Sequence, residues 1–165
     1  MIVRTPYDDL PVTLTAELAA AGLDPERVHA MVADAFDEDL PNGGTDVTSA
    51  AMPEMGRGRG AFVSREPGVV AGLVVAEVAF RYALGDDVVV SDRVADGSRV
   101  APGDAVLRVE GPVRDLLTAE RTALNFACHL SGVATATSHW VAALEGTKAK
   151  AVSYTHLTLP TIYSV

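Results

Sequence analysis

The sequence lacks most of what marks a secreted, membrane-spanning or nucleic-acid-binding protein. It has one cysteine, Cys128, so no intrachain disulfide can form, which is compatible with a reducing cytoplasm. Basic residues are outnumbered: 13 Lys and Arg against 22 Asp and Glu give a net charge of −9 and a pI near 4.7. Nucleic acid and anionic membrane need a basic surface that displaces counterions, so neither is expected as the main partner. A small anion can still bind at a local basic spot. The N-terminal stretch MIVRTPYDDLP has no apolar run of the signal-peptide kind. The most apolar segment, Gly68 to Phe80, is too short to span a bilayer and contains Glu77. A soluble cytoplasmic protein is therefore expected. There is no strand–glycine–lysine phosphate loop and no His/Cys set with zinc spacing. Lysine is absent from residues 1 to 147.

What is present is an Ala/Val-rich chain of 165 residues, 48% hydrophobic with 5% aromatics, enough for one domain with a buried core. Two helix signals open it, separated by Gly22 and Asp24-Pro25; Asp24 suits an N-cap and Pro25 a first turn. PNGGTDVTSAAMP reads as a loop. From Gly60 a strand, a Glu-Pro-Gly turn and a short apolar run precede a helix, VVAEVAFRYAL, stopped by Gly85. Residues 86 to 112 carry short β-prone runs broken by Asp-Gly and Pro-Gly-Asp turns, the pattern of antiparallel strands. A long helix from about Asp115 to Leu144 follows. Helices, then strands with one helix inserted, then a helix give an α+β domain.

That last helix has two faces. Ala123, Phe126, Leu130, Val133, Thr137, Trp140, Val141 and Leu144 follow three-and-four spacing and form the packing stripe. Arg121, Asn125, His129 and Gly132 stack along a second face. By composition alone Arg121 is a surface salt-bridge residue after Glu120. Asn125 has two readings, holding Arg121 or crossing a helix contact, and the sequence does not choose between them. A lone helical histidine is more often structural than catalytic, so His129 is given no chemical role. Gly132 in a helix interior suggests close approach by another helix, with Ser131 beside it as packing. Cys128 reads as a buried small hydrophobe rather than a reactive thiol.

Other constellations are weaker. GRGRG at 56 to 60 is read as a turn into a strand at Ala61 rather than a nucleic-acid tract. Asp37, Glu38, Asp39 and Asp46 match no calcium-loop spacing and are read as helix-end and turn carboxylates. Residues 151 to 165 contain no charged side chain, since every Lys, Arg, Asp and Glu lies before them. They resemble out-of-frame or adapter sequence, and the expected domain is residues 1 to 150, with 151 to 165 an aberrant tail.

Four stretches together carry a family resemblance: EDLPNGGTDVTS at 38 to 49, AFVSREPGVVAGLVVAEVAF at 61 to 80, DGSRVAPGDAVLRVEGPVRDLLTAERTALNFACHLSGVATAT at 96 to 137, and GTKAK at 146 to 150. With ERTALN and LSGVAT on one helix, the chain resembles quinolinate phosphoribosyltransferase, also called nicotinate-nucleotide pyrophosphorylase (carboxylating). The resemblance implies an α/β-hammerhead-like N-terminal domain, with the family's C-terminal α/β barrel missing from this chain. It implies two anionic substrates, quinolinate and phosphoribosyl pyrophosphate, condensed to nicotinate mononucleotide with loss of pyrophosphate and carbon dioxide. Magnesium would assist, with ligands outside this chain. It also implies a homodimer in which the arginine of ERTALN, here Arg121, serves the partner's substrate site. Arginine suits a dicarboxylate because its planar donors bind two oxygens at once. The fragment alone is expected to be inactive. Alternatives are a related transferase of the molybdenum-transport-associated type, or a module that only dimerises. A biotinyl or lipoyl carrier is disfavoured, because VADGSRVAPGDAVLRVEG offers Asp-Gly-Ser where a carrier needs lysine.

Overall fold

The run LVVAEVAFRYAL has too many apolar residues for one face of a helix, and a helix apolar nearly all round must be enclosed. The structure, a computed structural model, describes residues 2–40, 46, 48, 51, 53 and 55–149, and this run lies at its centre. The elements are α1 (Val12–Ala20), α2 (Pro25–Asp39), β1 (Arg57–Val63), β2 (Gly68–Val69), α3 (Leu73–Leu84), β3 (Val89–Ser91), β4 (Arg99–Val100), β5 (Ala105–Pro112) and α4 (Val113–Ala143). Every residue of α3 is buried except Glu77 and Arg81, which pair one turn apart at 3.6 Å. The helix meets α1, α2 and α4. Its Phe80 lies 5.8 Å, centroid to centroid, from Phe62 of β1.

The sheet has the order β1-β5-β3, antiparallel throughout, and β2 pairs with β4 as a separate two-stranded ribbon. β5 turns Val106, Leu107 and Val109 into the core, while Arg108 points out. The mixed helix and antiparallel-sheet class read from the sequence is the class observed. Asp24 caps α2 as its position demands: its Oδ1 accepts from the backbone N–H groups of Glu26 (3.1 Å) and Arg27 (3.3 Å).

One reading changes. GRGRG is not a turn, because the strand already begins at Arg57 and pairs Arg57 with Pro112 and Gly60 with Val109. Glycine is needed there for space: a Cβ on Gly58 would come within 2.6 Å of Val113 Cγ2, where α4 begins. Most of the expected 41–53 loop, and the whole 151–165 tail, lie outside the described residues.

Two polar ties close the fold. Residues 3 to 5 run along the end of α3, where Val3 N–H donates to Ala83 O (2.8 Å), Thr5 N–H to Tyr82 O (2.9 Å) and Thr5 Oγ1 to Arg81 O (2.8 Å). These carbonyls belong to the last helical turn, where the chain ends its own ladder; Arg81 O also accepts the N–H of the capping Gly85. Arg93, ahead of β4, donates to Glu77 of α3 (2.8 Å) and grips Glu17 of α1 through both terminal nitrogens. Hydrogen bonds from Arg93 hold the Glu17 carboxyl below its ordinary value, against the opposing effect of burial. Hydrogen bonding to Glu17 likewise raises the Arg93 pKa.

A depressed carboxylate pKa stabilises the folded state above the unfolded value, here 4.5, and that contribution fades as pH falls through the folded pKa. Glu17 is 47% exposed, so Glu17→Gln should cost no more than about 1 kcal/mol at pH 7. In urea titrations from pH 7 downward, the gap between wild type and variant should close below the ordinary glutamate range. A gap independent of pH would show that the charge pair contributes nothing.

Candidate functional site

The site is built on α4, and the first question is what fixes that helix. Of its six hydroxyl side chains, Thr137 and Ser138 donate to carbonyls of the helix itself, while Thr118, Thr122, Ser131 and Thr135 fall in two pairs each spaced one turn apart. The second pair grips the segment before α3. Ser131 Oγ accepts from Ala71 N–H (3.0 Å) and donates to Ala71 O (3.1 Å). Thr135 Oγ1 accepts from Val69 N–H (2.9 Å) and donates to Val69 O (3.2 Å). Alternate residues of the segment leading from β2 into α3 are thus paired, donor and acceptor both, by two hydroxyls one helical turn apart. The helix takes the place of a neighbouring strand.

Glycines permit this approach. A Cβ on Gly68 would stand 2.8 Å from Thr135 Oγ1, and one on Gly72 would stand 2.6 Å from Leu130 Cδ1. Gly72 also has φ +80°, which L side chains rarely adopt. The carboxylate of Asp96 holds the turn from the other side, accepting from Gly72 N–H (2.8 Å) and Leu73 N–H (3.0 Å) at the start of α3. The sequence reading treated Ser131 as packing and did not single out Thr135 or Asp96.

The first hydroxyl pair faces carboxylates. Thr118 Oγ1 donates to Asp46 Oδ2 at 3.0 Å, and Asp46 Oδ1 accepts from Thr48 N–H at 3.0 Å. One turn on, the buried Thr122 donates through Oγ1 to Asp39 Oδ2 at 3.3 Å. The other oxygen of Asp39 lies 3.8 Å from Arg121 Nε. Asp39 and Asp46 are helix-end and turn carboxylates, as their positions suggest, but each also clasps α4. The signal available in the sequence was the Thr-x-x-x-Thr spacing within TAERT.

Arg121 itself projects outward, with 77% of its side chain exposed. Asn125, His129 and Gly132 are exposed on the same helix. The row is therefore a surface of this chain, and a guanidinium held near a single carboxylate remains able to bind an anion. Three expectations do not hold within the single chain. Cys128 is exposed rather than buried, because the buried positions around it are Ala123 and Ala127 on the inner face. Gly132 meets nothing within 4 Å, so no helix approaches it among the described residues. The packing stripe fails in its second half: Val133 is 40%, Trp140 69% and Val141 55% exposed. The helix outruns the layer beneath it, and an open cavity of about 930 Å³ lies between its last turns and the β2–β4 ribbon, lined in part by Val69, Arg99 and Val141.

The described residues contain no group of three or more His, Cys, Asp or Glu side chains placed to hold a metal ion, and none of their helices is long and apolar enough to cross a membrane.

Residues 46–131 match the family model described as quinolinate phosphoribosyl transferase, N-terminal domain. The chain is 46% identical over 127 residues to the nicotinate-nucleotide pyrophosphorylase (carboxylating) of Mycobacterium leprae, covering 76% of this chain and 44% of that protein. It is 31% identical over 103 residues to quinolinate phosphoribosyltransferase (decarboxylating) 1 of Nicotiana glauca, covering 62% of this chain and 29% of that one. The crystal structure of NadC from Streptococcus pyogenes superposes with a TM-score of 0.66 at 36% identity, over 74% of this chain and 44% of that chain. The chain thus spans less than half the length of these relatives.

The hydroxyl clasp has a measurable consequence. Ser131→Ala and Thr135→Val each remove a donor–acceptor pair from backbone groups and should lower unfolding free energy by about 0.5–1.5 kcal/mol. Urea unfolding of this chain would measure it, with the slope against denaturant unchanged. Loss of less than a few tenths of a kcal/mol would place the clasp outside the forces that hold α4.

Proposed function

We propose, from the premise that this chain belongs to the quinolinate phosphoribosyltransferase family, that it is the N-terminal portion of an enzyme making nicotinate mononucleotide for NAD biosynthesis. The reaction joins quinolinate to phosphoribosyl pyrophosphate and releases pyrophosphate and carbon dioxide. Support comes from the names of the relatives, which describe a nicotinate-nucleotide pyrophosphorylase and a quinolinate phosphoribosyltransferase. The observation that carries the reading most directly is the position of Arg121, within the matched residues 46–131 and 77% exposed on a helix otherwise clasped from below.

In this reading Arg121 binds a carboxylate of quinolinate. Its terminal nitrogens form a planar fork that matches two carboxylate oxygens. Being on the outer face of α4, it serves a site completed by another subunit, so the working form is a homodimer. The exposed Val133, Trp140 and Val141 on the same helix fit a surface covered in the assembly. Departure of pyrophosphate needs developing charge to be stabilised by a metal and by cationic groups. Magnesium would supply that stabilisation. No three of the described His, Cys, Asp or Glu side chains are grouped to hold a metal ion; in this reading the ligands belong to the barrel, and no step is assigned to magnesium in this domain. The setting is cytoplasmic, with neither nucleic acid nor membrane as partner.

In the complete enzyme, Arg121→Ala should raise KM for quinolinate or lower the rate by about 10- to 1000-fold, as expected for loss of a charge-assisted contact. Affinity for phosphoribosyl pyrophosphate should change much less. This chain alone, at high concentration with saturating magnesium, should form no nicotinate mononucleotide above background. An unimpaired alanine variant would overturn the role of Arg121, and turnover by this chain would overturn the division of labour.

A further inference from the structure

We infer that Asp39 is a positioning residue for Arg121, fixing which edge of the guanidinium faces an incoming carboxylate. The inference rests on the substrate-binding reading of Arg121. An arginine that is 77% exposed samples many rotamers, and a ligand that needs one of them must order it at a cost. Asp39 is well placed to reduce that disorder. It is the last residue of α2, its side chain is 31% exposed, and one of its oxygens is tied at 3.3 Å to the hydroxyl of Thr122, which is only 2% exposed. The buried threonine hydroxyl gives that carboxylate a preferred place beside α4.

The free oxygen, Oδ1, lies 3.8 Å from Arg121 Nε, which is too long for a hydrogen bond and short enough for attraction. It sits at the Nε side of the guanidinium. The opposite edge, with the two terminal nitrogens, is left for a carboxylate approaching end-on. Asp39 therefore biases orientation without consuming the donors that recognition uses.

The test is steady-state kinetics of the complete enzyme with Asp39→Asn, Asp39→Glu and Arg121→Ala, alone and combined. Asp39→Asn keeps the shape and an acceptor for Thr122 but removes the charge. It should raise KM for quinolinate by about two- to fivefold, the range of an exposed ion pair, with KM for phosphoribosyl pyrophosphate and the melting temperature little changed. Asp39→Glu should recover part of the loss. In the Arg121→Ala background, Asp39→Asn should add nothing, since a positioning residue has no effect once its target is gone. Should Asp39→Asn fold poorly, Thr122→Val, which frees the Asp39 carboxylate while leaving its charge, should shift KM for quinolinate in the same direction. An unchanged or lowered KM for quinolinate in Asp39→Asn, with Arg121→Ala still impaired, would overturn the role of Asp39 and leave that of Arg121 standing. Additive effects in the double variant would also overturn it. An unimpaired Arg121→Ala would overturn both.

Discussion

The placement of α4 is the constraint on which the rest depends. Its inner face combines Leu116 with the small Ala119, Ala123 and Ala127, all buried, and apolar contacts bring the helix onto the core without by themselves fixing its rotation or slide. The hydroxyls supply what they cannot. Ser131 and Thr135 pair with Ala71 and Val69, and Thr118 and Thr122 meet Asp46 and Asp39. Because hydrogen bonds are directional, a rotation of α4 by one residue would disturb all of these contacts together. Helix rotation is thereby set by polar contacts, and the apolar contacts supply the bulk of the burial.

Fixing the inner face decides the outer one. With Thr122 turned inward onto Asp39, the preceding Arg121 comes out beside that same carboxylate and faces solvent. The arrangement differs from an ordinary surface ion pair in what lies beneath it: a buried hydroxyl holds the acid, and the acid faces only one edge of the base. The helix also projects beyond the sheet, and the exposed Trp140 and Val141 on that projection suit a domain that belongs to a larger assembly. That agrees with a chain spanning less than half the length of its relatives.

Much of this was legible in the sequence, and the part that was not has a physical reason. Helices announced themselves through caps and periodicity: Asp24-Pro25 and Gly85 bound α2 and α3 as their chemistry requires. The strands were visible through their turns. Misreadings arose where a residue type has two uses. GRGRG was read as a turn, but its Gly58 makes room for the start of α4, as Gly68 and Gly72 make room for the middle of that helix, and that depends on a partner more than forty residues away in sequence. Cys128, small and apolar, would suit a core, but its direction on α4 is set by hydroxyls whose partners are backbone groups. Backbone partners leave no trace in residue type. Arg121 was found through its motif, while Asp39 was passed over because a carboxylate at a helix end looks like any other.

Subunit mixing reaches the central claim most directly, that this domain lends Arg121 to a site on another subunit. Complete subunits carrying Arg121→Ala would be combined with subunits disabled in the barrel but retaining Arg121, and product formation followed as mixed dimers form. The Arg121→Ala parent should be impaired and the barrel-disabled parent inactive, and the mixture should exceed both, because one of its two sites would have an intact barrel and an arginine from its partner. Mixed dimers that form and stay inactive would contradict the account.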